Sequence, residues 1–148
     1  MEKRAVLFVD DDEIVLESIE RSLKDESYDK HFAKSGEDAL EILQREEVHV
    51  IVVDMVMPEM GGLELLEIVK KEYPNIVTMV LSGYAQPAEV MMVMFEVGVY
   101  KFISKPWTFD EDLRTVIRRA IDNYNLQREH EDMVAELERC SDRQRSAE

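Results

Sequence analysis

The chain has 148 residues, 45% of them hydrophobic and 34% charged, with 5 Gly and 4 Pro, which fits one globular domain with an extension and excludes disordered, collagen-like and low-complexity chains. Its 33 acidic residues outnumber 18 basic ones, for a formal net charge of −15, so phosphate backbones and anionic lipid surfaces repel it, and no apolar run approaches the roughly 20 residues of a membrane span. We therefore expect a cytoplasmic protein without direct contact to nucleic acid or membranes, whose single cysteine, Cys140, forms no internal disulfide.

Apolar runs of strand length alternate along the chain with stretches of helical periodicity. The predicted strands are Ala5–Val9, Tyr28–Ala33, Val48–Val53, Ile76–Leu81 and Tyr100–Ile103, and the predicted helices are Glu13–Glu26, one starting at Ser35, Leu63–Glu72, Gln86–Val97, and one from Phe109 onward. Strands that alternate with helices form a parallel sheet with helices on both faces. The pattern therefore predicts an α/β protein with a doubly wound, five-stranded parallel sheet and an extended C-terminal helix.

Polar residues follow four of the five predicted strands at the point where each strand ends. The acidic run Asp10-Asp11-Asp12 follows the first strand, and Asp54 follows the third. Ser82 follows the fourth strand and Lys105 the fifth. The carboxyl ends of parallel strands lie at one edge of the sheet, where α/β proteins bind their ligands. We therefore expect these side chains to form one site.

Phosphoryl transfer explains why these residue types would be collected at one edge. Carboxylates from neighbouring strand ends repel each other unless a cation lies among them, and an all-oxygen ligand set with room for water suits Mg²⁺. Ser82 and Lys105 could then bind the oxygens of a phosphoryl group. Asp54 could act as the nucleophile and become an aspartyl phosphate.

The same motifs carry a resemblance to a known family. They are Asp10-Asp11, the run from Asp54 through Pro58 to Gly61, the run Leu81-Ser82-Gly83-Tyr84-Ala85, and Lys105-Pro106-Trp107. In this order the chain resembles the receiver domain of bacterial two-component response regulators over roughly residues 3–125. The resemblance implies a flavodoxin-like strand order of 2-1-3-4-5, a receiver domain at 1–125, and a helical extension at 126–148. That extension would be a short coiled coil or a linker to an absent output domain.

The resemblance also implies a role for each site residue. Asp54 corresponds to the phosphoacceptor, and Mg²⁺ would be held by Asp10, Asp11, Asp54 and the backbone carbonyl of Val56. The residues that would bind the phosphoryl group are Ser82 and Lys105, the switch pair would be Ser82 and Phe102, and the Lys105–Pro106 peptide bond would be cis. The phosphoryl donor would be a histidine kinase or a phosphotransfer protein. The chain would then be a signalling domain that assists its own phosphorylation and dephosphorylation, rather than an enzyme.

Three alternatives remain open at this stage. The metal ligands could be Asp11 and Asp12 instead of Asp10 and Asp11, although Val9 ends the apolar run and favours the first pair. A metal-dependent phosphatase of the haloacid-dehalogenase kind also uses an Asp-x-Asp motif, but it would leave the run after Asp54 unexplained. A degenerate receiver that serves only as a binding scaffold is the third alternative.

Helical composition continues past the expected end of the receiver. Alternating spacings of three and four residues separate the members of one series: Asn123, Leu126, His130, Met133, Leu137 and Cys140. This is the spacing of a coiled-coil seam, so we predict a homodimer through Leu126, Met133 and Leu137, which we call the dimer seam. The alternatives are a solvated helical linker and a helix that packs back on its own domain. Residues from Arg143 to Glu148 are expected to fray.

Overall fold

The computed structural model describes residues 3–54, 61–82, 92, 95–96, 98–104 and 110–147, without the side chains of residues 82, 101–104, 110–112 and 142–147. The strands in these ranges are β1 (Ala5–Val9), β2 (Asp29–Ala33), β3 (Val50–Asp54), β4 (Val77–Ser82) and β5 (Lys101–Ser104). The helices are α1 (Glu13–Ser22), α2 (Gly36–Arg45), α3 (Gly62–Glu72) and α4 (Asp110–Ala147), which we call the C-terminal helix. Within these ranges, no helix combines the length and apolarity that crossing a bilayer requires.

The five strands form one parallel sheet in the order β2-β1-β3-β4-β5. The predicted fold class and strand order are therefore confirmed. Parallel neighbours need long crossover connections, which the intervening helices supply. Strands β1 and β3 are buried along their whole length, as expected for central strands covered on both faces.

The sheet has one hydrophobic core on each face, because successive side chains of a strand point to opposite sides. Val6 and Phe8 of β1 belong to the core that packs against α1 and the C-terminal helix. Leu7 and Val9 belong to the core that packs against α2 and α3. This alternation is the physical basis of the doubly wound architecture.

Helix α1 is shorter than the predicted Glu13–Glu26, because it ends at Ser22. Leu23 closes it, donating its N–H to the Ile19 carbonyl at 3.0 Å while its side chain is fully buried. The chain then turns so that the Asp29 N–H reaches the Arg4 carbonyl at 2.9 Å, which starts β2 beside β1. Pairing with β1 therefore decides where the helix must stop.

The other boundaries differ from prediction by only one or two residues. Strands β2 to β5 each begin one or two residues later than predicted, and β3 to β5 each end one residue later. Most of the methionine-rich helix predicted at Gln86–Val97 lies outside the described residues. Within that range the structure describes residues 92, 95 and 96, and all three are helical. Strand ends are set by the pairing of neighbours, which a single run of residues does not reveal.

The C-terminal helix is continuous over 38 residues. Its first half lies on the sheet, where Leu113, Ile117, Ala120 and Tyr124 are buried. From 126 to 141 every side chain is exposed except that of Ala135, which is intermediate. The alternative in which the extension packs back on its own domain is therefore wrong, and residues 126–147 project about 33 Å.

Fraying of the residues from Arg143 onward stays a prediction. Helical structure continues to Ala147. The segment contains no Gly or Pro that would interrupt a helix.

A polar cluster joins the C-terminal helix to the sheet at the end where β1 and β3 begin. The Arg4 Nε donates to the Asn125 Oδ1 at 2.7 Å, and the Arg4 guanidinium lies 5.0 Å from the centroid of the Tyr124 ring. That ring meets the imidazole of His49 edge to face, with centroids 4.9 Å apart. The Ala5 N–H donates to the His49 Nδ1 at 2.9 Å. The cluster thus holds the helix at the point where it leaves the domain.

The imidazole of His49 is held in its neutral form. Only 3% of the residue is exposed, and its Nδ1 must be unprotonated to accept the Ala5 N–H. Burial, followed by the charge of Arg4, lowers the pKa of His49 below its ordinary value of 6.5. The Glu47 carboxylate, 3.4 Å from Nε2, acts in the opposite direction but does not reverse the shift.

We expect His49 to make folding sensitive to acid. In the unfolded chain His49 binds a proton as the pH falls below about 6.5, whereas the folded protein keeps His49 neutral to lower pH. The free energy of unfolding therefore keeps its maximum His49 contribution above about pH 6.5 and decreases as the pH falls below that value. The His49→Asn variant keeps an acceptor near the Nδ1 position but cannot be protonated. Urea unfolding followed by circular dichroism should show a steeper loss in the wild type between about pH 6.5 and 5.5. Parallel profiles for the two proteins would contradict this assignment.

Candidate functional site

The site lies where the two central strands end. Parallel pairing sets Val9 of β1 beside Val53 of β3, so the next residues, Asp10 and Asp54, emerge at the same edge. The Asp10 backbone is held on its other side, where its N–H donates to the Ala33 carbonyl at 3.1 Å. Backbone pairing on both sides of β1 therefore determines where the acidic run begins.

Three carboxylates meet at this edge. One oxygen from each of Asp10, Asp11 and Asp54 lies within 4.8 Å of the others. Asp10 is 1% exposed and Asp54 is 7% exposed, whereas Asp11 is open to solvent. The cluster therefore has two buried members and one member on the solvent side.

Asp12 has a different role from its neighbours. It is the N-cap of α1, and its side chain accepts the Ile14 N–H at 2.9 Å. Its own N–H donates to the Asp10 Oδ1 at 2.9 Å, which orients that buried carboxylate. Capping directs the Asp12 carboxylate to the backbone of the first helical turn. Of the three consecutive aspartates, Asp10 and Asp11 are the two that join Asp54.

The donor set fits a hard divalent cation. All three side chains offer oxygen, and their mutual repulsion in a partly buried position is relieved by a positive charge among them. Three carboxylates leave several positions of an octahedral shell for a backbone carbonyl, water or a phosphate oxygen, as Mg²⁺ prefers. The cluster could therefore hold Mg²⁺ and present it to a phosphorylated compound.

The structure describes the remaining predicted site residues in part. The backbone of Ser82 ends β4 and pairs with Ser104 of β5, and the backbone of Phe102 pairs with Val80. Ser82 is one residue beyond Leu81, the register partner of Asp54, so its backbone lies at the same edge. The side chains of Ser82 and Phe102 are not described. Three further predicted residues lie outside the described residues: Val56, Lys105 and Pro106.

Two features beside the cluster were not singled out by the sequence pattern. Ile14, in the first turn of α1, is 75% exposed although it is a large apolar residue. Glu13 forms an ion pair with Lys34, which directly follows β2. Ile14 falls outside the apolar stripe of α1, and this position in the helical pattern could have predicted that its side chain is exposed. No sequence signal indicates the pairing of Glu13 with Lys34, because it depends on how α1 lies beside the sheet.

The sequence of the chain is similar to those of response regulators. The family model described as "Response regulator receiver domain" matches residues 6–118. The hydrogenase transcriptional regulatory protein HoxA of Cupriavidus necator is 34% identical over 149 aligned positions, which cover 99% of this chain and 31% of that protein. A putative NtrX-like response regulator of Rickettsia felis is 32% identical, over 93% of this chain and 29% of that protein. The chain thus spans less than a third of these two relatives.

Solved structures show the same fold. A CheY-like response regulator receiver domain from Methanospirillum hungatei superposes with a TM-score of 0.79 at 28% identity, over 85% of this chain and 99% of the other. The family match ends within the C-terminal helix, whereas the alignment with HoxA covers nearly the whole chain.

Proposed function

The chain belongs to the response regulator receiver domain family, and from that membership we propose that Asp54 accepts the phosphoryl group. The observation that carries this proposal is the carboxylate cluster, in which Asp54 lies with Asp10 and Asp11 at the end of β3. Receiver domains are signalling domains that take a phosphoryl group from a kinase. The donor we propose is a histidine kinase or phosphotransfer protein, for which the exposed Ile14 offers an apolar contact beside the cluster.

The proposed reaction is a transfer between two side chains. An oxygen of the Asp54 carboxylate attacks the phosphorus of a phosphohistidine on the donor protein. The new bond joins that oxygen to phosphorus, the bond from phosphorus to nitrogen breaks, and the electron pair returns to the imidazole of the donor. Hydrolysis of the aspartyl phosphate later restores the carboxylate, so the domain assists its own phosphorylation and dephosphorylation.

The neighbouring residues supply binding and orientation. Asp10, Asp11, Asp54 and the Val56 carbonyl would hold Mg²⁺. When bound, the metal would offset the charge that accumulates on the phosphoryl oxygens. The Lys105 ammonium and the Ser82 hydroxyl would bind the same oxygens by charge-assisted hydrogen bonds. The Asp12 N–H keeps the Asp10 carboxylate oriented toward its partners.

The first test replaces each carboxylate by its amide. Asp54→Asn should abolish labelling by a radioactive phosphohistidine donor in the presence of Mg²⁺, because the amide is a poor nucleophile. Asp11→Asn should raise the Mg²⁺ concentration needed for half-maximal labelling by about tenfold or more, since a cluster oxygen is lost. Asp12→Asn is the matched control: it removes the same charge, keeps the cap, and should label normally.

Two results would contradict these roles. Labelling of Asp54→Asn at the wild-type rate would exclude Asp54 as the acceptor. A larger Mg²⁺ requirement in Asp12→Asn than in Asp11→Asn would shift the ligand set by one residue along the acidic run.

We also propose that phosphorylation is coupled to β5. The phosphoryl group at Asp54 would draw the Ser82 hydroxyl toward it, and the vacated space would favour an inward Phe102. The change is a shift between two populations, limited by how much better one of them holds the phosphoryl group. Phe102 lies in β5, and β5 pairs with β4, the strand that ends at Ser82.

Substitution of Ser82 tests this coupling. Beryllofluoride with Mg²⁺, which mimics the phosphoryl group, should change hydrogen exchange of the peptide containing residues 101–104 in the wild type. Ser82→Ala should lose most of this response while still binding the mimic, and Ser82→Thr, which keeps the hydroxyl, should retain it. A full response in Ser82→Ala would show that β5 responds by another route.

Finally, we propose that the receiver comprises residues 1–125 and that 126–148 are an extension with its own role. Tyr124 is the last buried side chain among the described residues. The role we propose is homodimerisation, because Leu126, Met133 and Leu137 of the dimer seam are each 64% exposed. We propose a cytoplasmic location, and we expect no direct nucleic-acid contact because the composition is strongly acidic.

Sedimentation tests the role of the extension. The full chain should sediment as a dimer in weak, concentration-dependent equilibrium, because a short helix gains burial only by pairing. A version that ends after Asn125 should remain monomeric, since it keeps the buried residues but loses the seam. Equal masses for the two proteins would remove the extension from the interface.

A further inference from the structure

A cavity of about 340 Å³ opens at the edge of the sheet where β3 and β4 begin. It lies between the connection from α2 to β3 and the connection from α3 to β4. The Val77 N–H donates to the His49 carbonyl at 3.0 Å, which holds the start of β4 beside the first of these connections. The floor is apolar, because three buried side chains line it: Leu43, Val48 and Ile76. The carboxylate cluster lies at the opposite edge, so the phosphoryl transfer proposed above does not use this cavity.

The rim of the cavity is negative. Glu46 and Glu47 border it on one side and Glu72 on the other, and all three are exposed. Within the described residues, the one ion-pair partner of these carboxylates is the imidazole of His49, which accepts the Ala5 N–H and is held neutral. The described part of the chain therefore supplies no positive charge that pairs with the rim.

The C-terminal ends of two helices add to the negative potential at the rim. α2 ends at Arg45 and α3 ends at Glu72, and the last carbonyls of each helix carry the negative end of its dipole. Among the described residues, none of the basic residues in these last turns lines the cavity: Arg45, Lys70 and Lys71. Lys70 lies instead against Gly98, with its Nζ 3.3 Å from the position that a Cβ would take there. Carboxylates and helix dipoles therefore act together and favour a cation.

We propose that this cavity is a docking site for an arginine side chain of a partner protein. The planar guanidinium forms paired hydrogen bonds with carboxylates and stacks on aromatic rings, and the half-buried Tyr73 lines the cavity. The methylene groups of the arginine would cover the apolar floor while its charged end stays at the rim. Lysine has the same charge but lacks the planar fork, so the site should prefer arginine.

The size of the cavity and the charge of the chain indicate that the occupant belongs to a protein. Ligand pockets usually measure about 300–1,000 Å³, so a cavity at the lower end of this range holds one side chain rather than a large cofactor. The net charge of −15 attracts a basic segment throughout its approach. A partner bound at this edge would leave Asp54 accessible to its phosphoryl donor.

Nuclear magnetic resonance of the ¹⁵N-labelled full chain tests the proposal. The probe is the peptide acetyl-Gly-Arg-Arg-Gly-amide, added with excess Mg²⁺ so that the metal competes with the peptide at the carboxylate cluster. We expect the largest chemical shift changes at the backbone amides of residues 46–48, 73, 75 and 76. The largest changes elsewhere on the chain would overturn the docking site.

Paired variants separate the cavity from general attraction to an acidic surface. Glu46→Gln/Glu72→Gln removes two rim carboxylates and should raise the Kd for the peptide about tenfold or more. The matched control Glu41→Gln/Glu67→Gln removes two exposed charges from the same helices outside the cavity lining, and should change the Kd less than about twofold. Equal effects of the two double variants would overturn the docking site.

Two further measurements test the guanidinium and the source of the cation. Tyr73→Leu keeps an apolar contact with the core but removes the ring, and should abolish the preference for this peptide over acetyl-Gly-Lys-Lys-Gly-amide. If circular dichroism shows that Tyr73→Leu does not fold, equal affinity of the two peptides for the wild type would still overturn the arginine. Agmatine, a free alkylguanidinium, should bind more weakly than the peptide, and equal affinity would overturn a protein partner. Asp54→Asn should bind the peptide as the wild type does, because the cavity lies at the other edge of the sheet.

Discussion

Parallel pairing of β1 with β3 is the constraint on which the rest of the structure depends. It aligns Val9 with Val53, so the acidic residues at the ends of two strands distant in sequence lie at the same edge of the sheet. The same pairing continues to β4, where Leu81 lies beside Asp54. Each crossover must then return over one face of the sheet, and the alternating side chains provide a hydrophobic surface for it on both faces. Concentration of negative charge at the edge is a direct result of this geometry.

Local hydrogen bonds and the dipole of α1 offset the repulsion between these carboxylates. The N-terminus of α1 begins directly after the acidic run, so its partial positive charge faces the carboxylates. The N–H of Asp12 donates to Asp10, and the carboxylate of Asp12 is engaged by the helix that it caps. What remains is a group of three carboxylates that favours a cation. The arrangement links stability to function, because the interactions that orient the acidic residues also prepare the site.

The opposite end of the sheet has a structural role. Arg4, His49, Tyr124 and Asn125 connect the first residues of β1 and β3 with the C-terminal helix. They hold the helix just before it leaves the domain, so the direction of the projecting half depends on the sheet. The acidic edge and the helix that leaves the opposite edge are thus joined through the same five strands.

Several features of this protein could be predicted from the sequence alone. The apolar run Ala5–Val9 and the alternation of strands with helices determined the sheet, because strands that are buried on both faces must be apolar throughout. Asp54 could be predicted to lie at the edge of the sheet because it directly follows such a run. The seven-residue spacing in the C-terminal helix likewise predicted an apolar stripe. These are patterns of local order, and local order is what a sequence encodes most directly.

Other features depended on contacts between distant segments. Three consecutive aspartates look alike in the sequence, and only the start of α1 decided that Asp12 would cap the helix while Asp10 and Asp11 would join Asp54. The end of α1 at Ser22 was determined by pairing of β2 with β1, and the burial of His49 by the ring of Tyr124 from the far end of the domain. Exposure of the dimer seam required knowing that the helix leaves the sheet after Asn125. Each of these outcomes is decided by which surfaces meet in three dimensions, and the residues involved are too far apart along the chain for a local pattern to reveal it.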